Sequence, residues 1–244
     1  MILIKSSQEI EIMREGGKIA RKAVDEAVKR AKVGMTTLEL NNIAEKVIIG
    51  MGGIASFKGY KGFPFATCIN INEGIVHGVP NKYKVRRGDV VSIDLGVLYK
   101  GLNTDVSESF EVETNVQDKF LDTGRKALEK AIGVCVIGNK IGDISYAIQK
   151  TVENAGFSVT RDLAGHGIGK EIHEDPYVAC FGQPGKGPEI KEGMTLALEV
   201  IYQKGHPKLR LAKDGWTLCT KDGSLSGLFE KSVAVNRQGA LVLT

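Results

Sequence analysis

Between Asp89 and Val112 the sequence reads DVVSIDLGVL, then Tyr99-Lys100, then GLNTDVSESFEV. These are two strand-like apolar runs around a turn, and each carries an aspartate among aliphatic neighbours. Any fold this chain adopts has to accommodate them. A tip at Tyr99-Lys100 pairs residue i with residue 199 − i, which places Asp94 directly opposite Asp105. Directly opposed residues share one face, with Cβ atoms roughly 5 Å apart, and like charges there are destabilising. Ile93, Leu95 and Val106 predict that the strands are buried. Three arrangements relieve the pair: one carboxyl is protonated, solvent screens an exposed hairpin, or a cation sits between the two. A bulge would break the pairing altogether.

The flanking pattern repeats. Ser6-x-x-Glu9 is a capping box that opens a helix, followed by a stripe at Met13, Gly16/Gly17, Ala20, Val24 and Ala27/Val28, with Gly34 as its stop. Thr36-x-x-Glu39 opens a second helix that ends near Gly50. Residues 54–80 read as short strands and Gly-rich loops before the aspartate hairpin. Helices then fit 115–136 and 143–154, with Gly156 as the stop, and strands and loops follow to the end. The order helix, helix, strands occurs twice, so the pattern predicts two halves of similar design, about 1–113 and 114–244, with a site between them. No linker divides them, which makes 1–244 one domain.

Length and composition narrow the classes. With 244 residues, 42% hydrophobic and 25% charged, the chain can bury a sizeable core. A net charge of +4 with scattered Lys and Arg does not call for nucleic acid. No apolar run reaches the ~18 residues of a membrane span, and Lys5 interrupts any leader-like start. Cys68, Cys135, Cys180 and Cys219 form no C-x-x-C pair, which argues against a structural zinc site. Four lone thiols without a leader point to a reducing, cytoplasmic setting.

The remaining chemistry-bearing residues are few. His166 lies in Gly165-His166-Gly167-Ile168-Gly169, His173 in Ile172-His173-Glu174-Asp175-Pro176, and His77 in Val76-His77-Gly78. The glycines oppose a helix, so this is not a zinc-binding H-E-x-x-H, but they allow close approach of the backbone to a ligand. His206, before Pro207, reads as a surface residue. Glu199 sits in the apolar run TLALEVI and Glu230 in GLFEKSV. A salt bridge or an edge position accounts for the first alone, and solvent-facing alternation with Lys231 for the second. Acids in several apolar strands, together with Gly-flanked histidines, make such separate accounts weaker in combination.

Taken in order, Asn72 to Gly78, Ser92-Ile93-Asp94, Asp105, Gly165 to Gly169, His173 to Pro176, Glu199, Asp214-Gly215-Trp216-Thr217 and Glu230 resemble the methionine aminopeptidases of the bacterial type I form, over nearly the whole chain. The resemblance implies an α/β (α+β) pita-bread fold, with two pseudo-symmetric halves of curved antiparallel sheet flanked by helices. It implies a hydrolase that removes the initiator methionine from nascent proteins and peptides, preferring a small second residue. It further implies two divalent metal ions (cobalt, manganese, iron or zinc) held by Asp94, Asp105, His166, Glu199 and Glu230. In that scheme Asp105 and Glu230 bridge, Asp94 chelates one ion, and His166 and Glu199 complete the other. Glu199 is also the base for a metal-bridging water, the nucleophile, while His77 and His173 contact the substrate. Four carboxylates and two divalent ions balance in charge, and such an ion pair suits hydrolysis. Tyr60, Phe63, Cys68 and Trp216, with Ile172, are the implied methionine pocket, in which a soft thiol suits a thioether. The expected partners are nascent polypeptides, with the ribosome as candidate place of encounter; the expected state is a monomer.

The sequence departs from that family at Val200, usually Pro; at Lys231-Ser232, usually His-Thr; and at Leu163 and Lys61, where bacterial members often have an aromatic and a His. Proline-specific relatives usually carry an extra N-terminal domain, whereas the first helix is expected here near residue 7. The type II enzymes carry a helical insertion, for which the stretch from His173 to Glu199 leaves little space. A non-catalytic binding module of the same fold would be expected to lack metal ligands, and all five are present.

Overall fold

The computed structural model describes residues 1–244. Helix α1 (Ser7–Arg30) opens on the expected box: the Ser6 N–H donates to Glu9 Oε2 at 2.8 Å and the Glu9 N–H to Ser6 Oγ at 3.3 Å. Its buried stripe is Met13, Gly16, Gly17, Ala20, Ala23, Val24 and Ala27. The helix stops at Arg30, before the expected Gly34, because Ala31 already takes extended backbone; Gly34 instead makes the turn at φ 89°. Helix α2 (Thr37–Gly50) opens on the Thr36–Glu39 box.

Strand β1 (Ile54–Ala55), a 3₁₀ turn (Tyr60–Gly62), β2 (Cys68–Ile71) and β3 (Gly74–Val76) lead to the long hairpin of β4 (Val90–Tyr99) and β5 (Leu102–Glu111). Helices α3 (Asp118–Val134) and α4 (Ile141–Asn154) follow. Helix α3 begins later than the expected 115 because Glu111 accepts from Thr114 Oγ1 and from the Gln117 N–H, holding that stretch in a turn. Helix α4 begins earlier than the expected 143 because Asp143 is the third helical residue, accepting from the Lys140 N–H at 2.7 Å. The second half continues as β6 (Ser158–Val159), β7 (Ala164–Gly167), β8 (Glu174–Ala179), β9 (Thr195–Gln203), β10 (Leu209–Leu211), β11 (Leu218–Thr220), β12 (Ser226–Asn236) and β13 (Gly239–Val242).

Ten strands form one antiparallel sheet along the path β1-β4-β5-β12-β9-β7-β8, with β2 on β4, β13 on β12 and β6 on β9; β10, β11 and β3 form a small second sheet. Alternation sorts the faces. Ile93, Leu95 and Val97 of β4 join α1 and α2 in one core, and Leu198, Val200, Phe229 and Val233 join α3 and α4 in another. The intervening Asp94, Glu199 and Glu230 therefore lie on the sheet's other face. The two helix-backed portions meet where β5 pairs with β12. All four cysteines are free and buried.

The hairpin corrects one expectation. Its tip is Lys100-Gly101, both at positive φ (47° and 83°), with Tyr99 paired to Leu102. This is the two-residue turn that matches strand twist, and glycine supplies the left-handed conformation it needs. Pairs therefore sum to 201: Asp94 faces Ser107, and Asp105 faces Gly96. Asp94 and Asp105 are diagonal rather than direct neighbours. A shift of two residues preserves the face, so both still point to the same side.

Candidate metal centre

One rung of the sheet carries most of the acid. Asp94 on β4 opposes Ser107 on β5, Ser107 opposes Glu230 on β12, and Glu230 opposes Glu199 on β9. Asp105 stands two residues from Ser107 on the same face. His166 on β7 pairs with Ala197, two residues from Glu199. Donor atoms of Asp105, His166 and Glu230 all lie within 4.8 Å of one another. His166 Nε2 is 3.4 Å from Glu199 Oε1. Its Nδ1 donates to the Gly167 carbonyl at 2.9 Å, which leaves the Nε2 lone pair facing the carboxylates.

The backbone fixes Asp105. Its N–H donates to Ser232 Oγ at 2.8 Å, and that hydroxyl donates to the Asp105 carbonyl at 2.9 Å. The Val106 N–H donates to Asp105 Oδ1. Phe57 lies over Gly96, opposite Asp105, where a Cβ would meet its ring at 2.9 Å. Glycine is needed there so that an aromatic wall can close on the acids.

The electrostatics are those of a site built for cations. Burial, then the charges of Asp105 and Glu199, pushes the Asp94 carboxyl well above its usual range. Burial likewise raises Asp105, and burial followed by neighbouring carboxylates raises Glu199 and Glu230. Burial, then the charge of His173, pulls His166 down to about 4. Asp94 Oδ1 and Glu230 Oε1 are buried without a hydrogen-bond partner, an arrangement that protein interiors avoid. Carboxylate oxygens and one neutral imidazole are a donor set for divalent transition ions, and the orphaned oxygens fit such a group.

A cleft of about 340 Å³ opens over this floor, lined by Asp94, Asp105, His166, Glu199 and Glu230 and by Tyr60, Phe63, Cys68, His77, His173 and Trp216. The Tyr60 hydroxyl lies 3.1 Å from His173 Nδ1, and the His173 and His166 rings are 4.4 Å apart. Phe63 and Trp216 meet edge-to-face at 5.3 Å. Two other hollows, about 430 and 550 Å³, contain no histidine, so chemistry rather than size picks out the site. Ile172, expected beside the pocket, is buried and does not line it; His206 is exposed at the surface. The cleft also takes in Phe57, Val76 and Tyr177, which were not read from the sequence. Of these, only Val76 stood in a quoted motif, beside His77, while Phe57 and Tyr177 read as ordinary aromatic residues.

The model of metallopeptidase family M24 matches residues 11–236. The chain belongs to metallopeptidase family M24. Among M24 relatives, the methionine aminopeptidase of Clostridium acetobutylicum is 41% identical, aligned over 100% of this chain and 99% of that one. The crystal structure of a methionine aminopeptidase from Thermotoga maritima superposes with a TM-score of 0.98 at 40% identity, covering 100% and 99% of the two chains. Prolidase from Pyrococcus furiosus is more distant, with a TM-score of 0.80 at 25% identity, covering 99% of this chain and 65% of that one. The fold is thus the pita-bread fold of the M24 peptidases. No helix is long and apolar enough to cross a membrane.

Proposed function

We propose that this chain is a methionine aminopeptidase that removes the N-terminal methionine from nascent proteins and peptides in the cytoplasm and prefers a small second residue. The observation that carries the proposal is the convergence of four buried carboxyls and His166 beneath a wall of Phe63, Cys68 and Trp216. In this reading residues 1–244 act as one catalytic unit, with the site at the meeting of two similar halves.

Asp94, Asp105, His166, Glu199 and Glu230 would hold two divalent cations of manganese, iron, cobalt or zinc. When bound, such a pair polarises the scissile carbonyl and makes a water acidic enough to attack near neutral pH. Glu199, whose Oε1 lies 3.4 Å from His166 Nε2 at the cleft floor, takes the proton from the attacking water. His77 and His173 open into the cleft and contact the substrate carbonyl as negative charge develops on it. The Tyr60 hydroxyl orients His173. Phe63, Cys68 and Trp216 exclude water from the methionine side chain, which suits a polarisable thioether.

The test is hydrolysis of Met-Ala-Ser, Leu-Ala-Ser, Arg-Ala-Ser and a Xaa-Pro peptide with added Mn²⁺ or Co²⁺. Preferred release of methionine supports the reading. Comparable turnover of the Leu, Arg and Met peptides, or a preference for Xaa-Pro, overturns it.

A further inference from the structure

The rim of the cleft holds one feature that the peptidase reaction does not require. Lys61 is the only lysine or arginine among the lining residues. It stands at the centre of the Tyr60–Gly62 turn with φ 48°, between Gly59 and Gly62 at 89° and 88°. Four backbone hydrogen bonds fix that turn: Gly59 to Phe63, Tyr60 to Phe57, Gly62 to Gly59 and Phe63 to Tyr60, at 2.7 to 3.1 Å. The loop is therefore a defined platform. Its ammonium sits 5.3 Å from the centre of the Tyr60 ring.

This cation has no counter-charge of its own. No ion pair in the structure includes Lys61, whereas the nearby Lys58 is paired with Glu45 at 2.6 Å. Lys61 lines the same cleft as His77, and after desolvation its charge is what lowers the basicity of His77. Two divalent ions would cancel the four carboxylates of the floor, which leaves Lys61 as the uncompensated charge at the mouth. Low-dielectric walls focus such a field onto whatever passes through the opening.

We propose that Lys61 is a specificity-determining residue that selects, among substrates, those with an acidic group at the third or fourth position. The assignment rests on the aminopeptidase reading above. A substrate whose methionine fills the Phe63–Trp216 wall and whose scissile bond lies over the carboxylates sends its following residues out past this rim. A carboxylate there gains an unpaired ammonium, and a lysine or arginine meets repulsion. The same attraction would extend to the free C-terminal carboxylate of a tripeptide.

The experiment compares kcat/KM for C-terminally amidated Met-Ala-Xaa-Gly and Met-Ala-Gly-Xaa, with Xaa as Asp, Asn or Lys, at low and high salt. Ratios are taken within each protein preparation, so differences in metal content or active fraction cancel. Exposed charge pairs contribute modestly, so the wild-type protein is expected to favour Asp over Asn by about two- to five-fold in one of the two series and to disfavour Lys. High salt shrinks both effects. Lys61→Gln brings the ratios to near one, and Lys61→Glu inverts them. Comparing Met-Ala-Ser as free acid and as amide separates a terminal carboxylate from a side chain. Wild-type ratios near one in both series, or unchanged ratios in Lys61→Gln, overturn the role of Lys61 alone. No turnover of any Met-Ala peptide overturns the aminopeptidase reading and this assignment together.

Discussion

Asp105 is held to the sheet largely through its backbone, and that explains how a crowded acid stays in place. The Ser232 hydroxyl, fully buried, serves both its N–H and its carbonyl. Ser232→Ala strips both partners and is expected to destabilise the protein by about 1–3 kcal/mol, measured by denaturant unfolding. The carboxylates and the cleft histidines have different expected phenotypes. Asp105→Ala is expected to lose metal and activity together, because its carboxylate is one of the donors that converge with His166 and Glu230 within 4.8 Å. His173→Ala keeps its metal stoichiometry and loses turnover by about 10²–10³, the scale for removing one donor to a developing oxyanion. Metal titration beside kinetics separates the two. A folded His173→Ala protein that no longer binds the second ion would place His173 among the ligands instead.

Among the elements, the β4–β5 hairpin shows what local sequence encodes and what it leaves open. The two strands were legible in their apolar runs, and the shared face of Asp94 and Asp105, read from a pairing that placed them directly opposite, survives because the register is off by two residues. The register itself was not legible, because it depends on the left-handed pair Lys100-Gly101 at the tip, and moving the tip by one residue moves every partner by two. The acids of β9 and β12 stood out as charges in apolar runs, yet nothing local says that Glu230 pairs with Glu199. That pairing joins strands far apart in sequence order. Phe57 and Tyr177 were missed for the same reason: an aromatic residue reads as core until distant strands place it at a cleft. Helices α1 and α2 were read well because capping boxes are local, and the starts of α3 and α4 slipped where the Glu111 and Asp143 side chains set the turn. Helix packing against the sheet is close at Gly124 of α3, where a Cβ would overlap the Phe229 ring and crowd the Tyr202 hydroxyl. Gly124→Ala is expected to destabilise by about 1–3 kcal/mol through overpacking, read as a lowered unfolding midpoint. A neutral result would mean that α3 can move away from β9 and β12.

For the whole molecule, the sheet joins two helix-backed cores along the line where the acids sit, so occupancy of the site and stability of the fold are linked. The rung Asp94, Ser107, Glu230, Glu199 crosses four strands, and its buried, unpartnered oxygens weigh against the native state until a cation meets them. A cation that binds only the folded chain at 100 times its dissociation constant adds about 2.7 kcal/mol, or roughly 5–10 °C in melting temperature for a domain of this size. Chelation should remove that increment, and Asp105→Ala should show none. The most direct measurement is calorimetric titration of Mn²⁺ into chelator-treated protein, with the melting temperature followed at each step. Two ions bound per chain with a rising melting temperature is the predicted result. Protein that binds no ion, or binds ions with no change in melting temperature, would contradict a metal centre in this cleft.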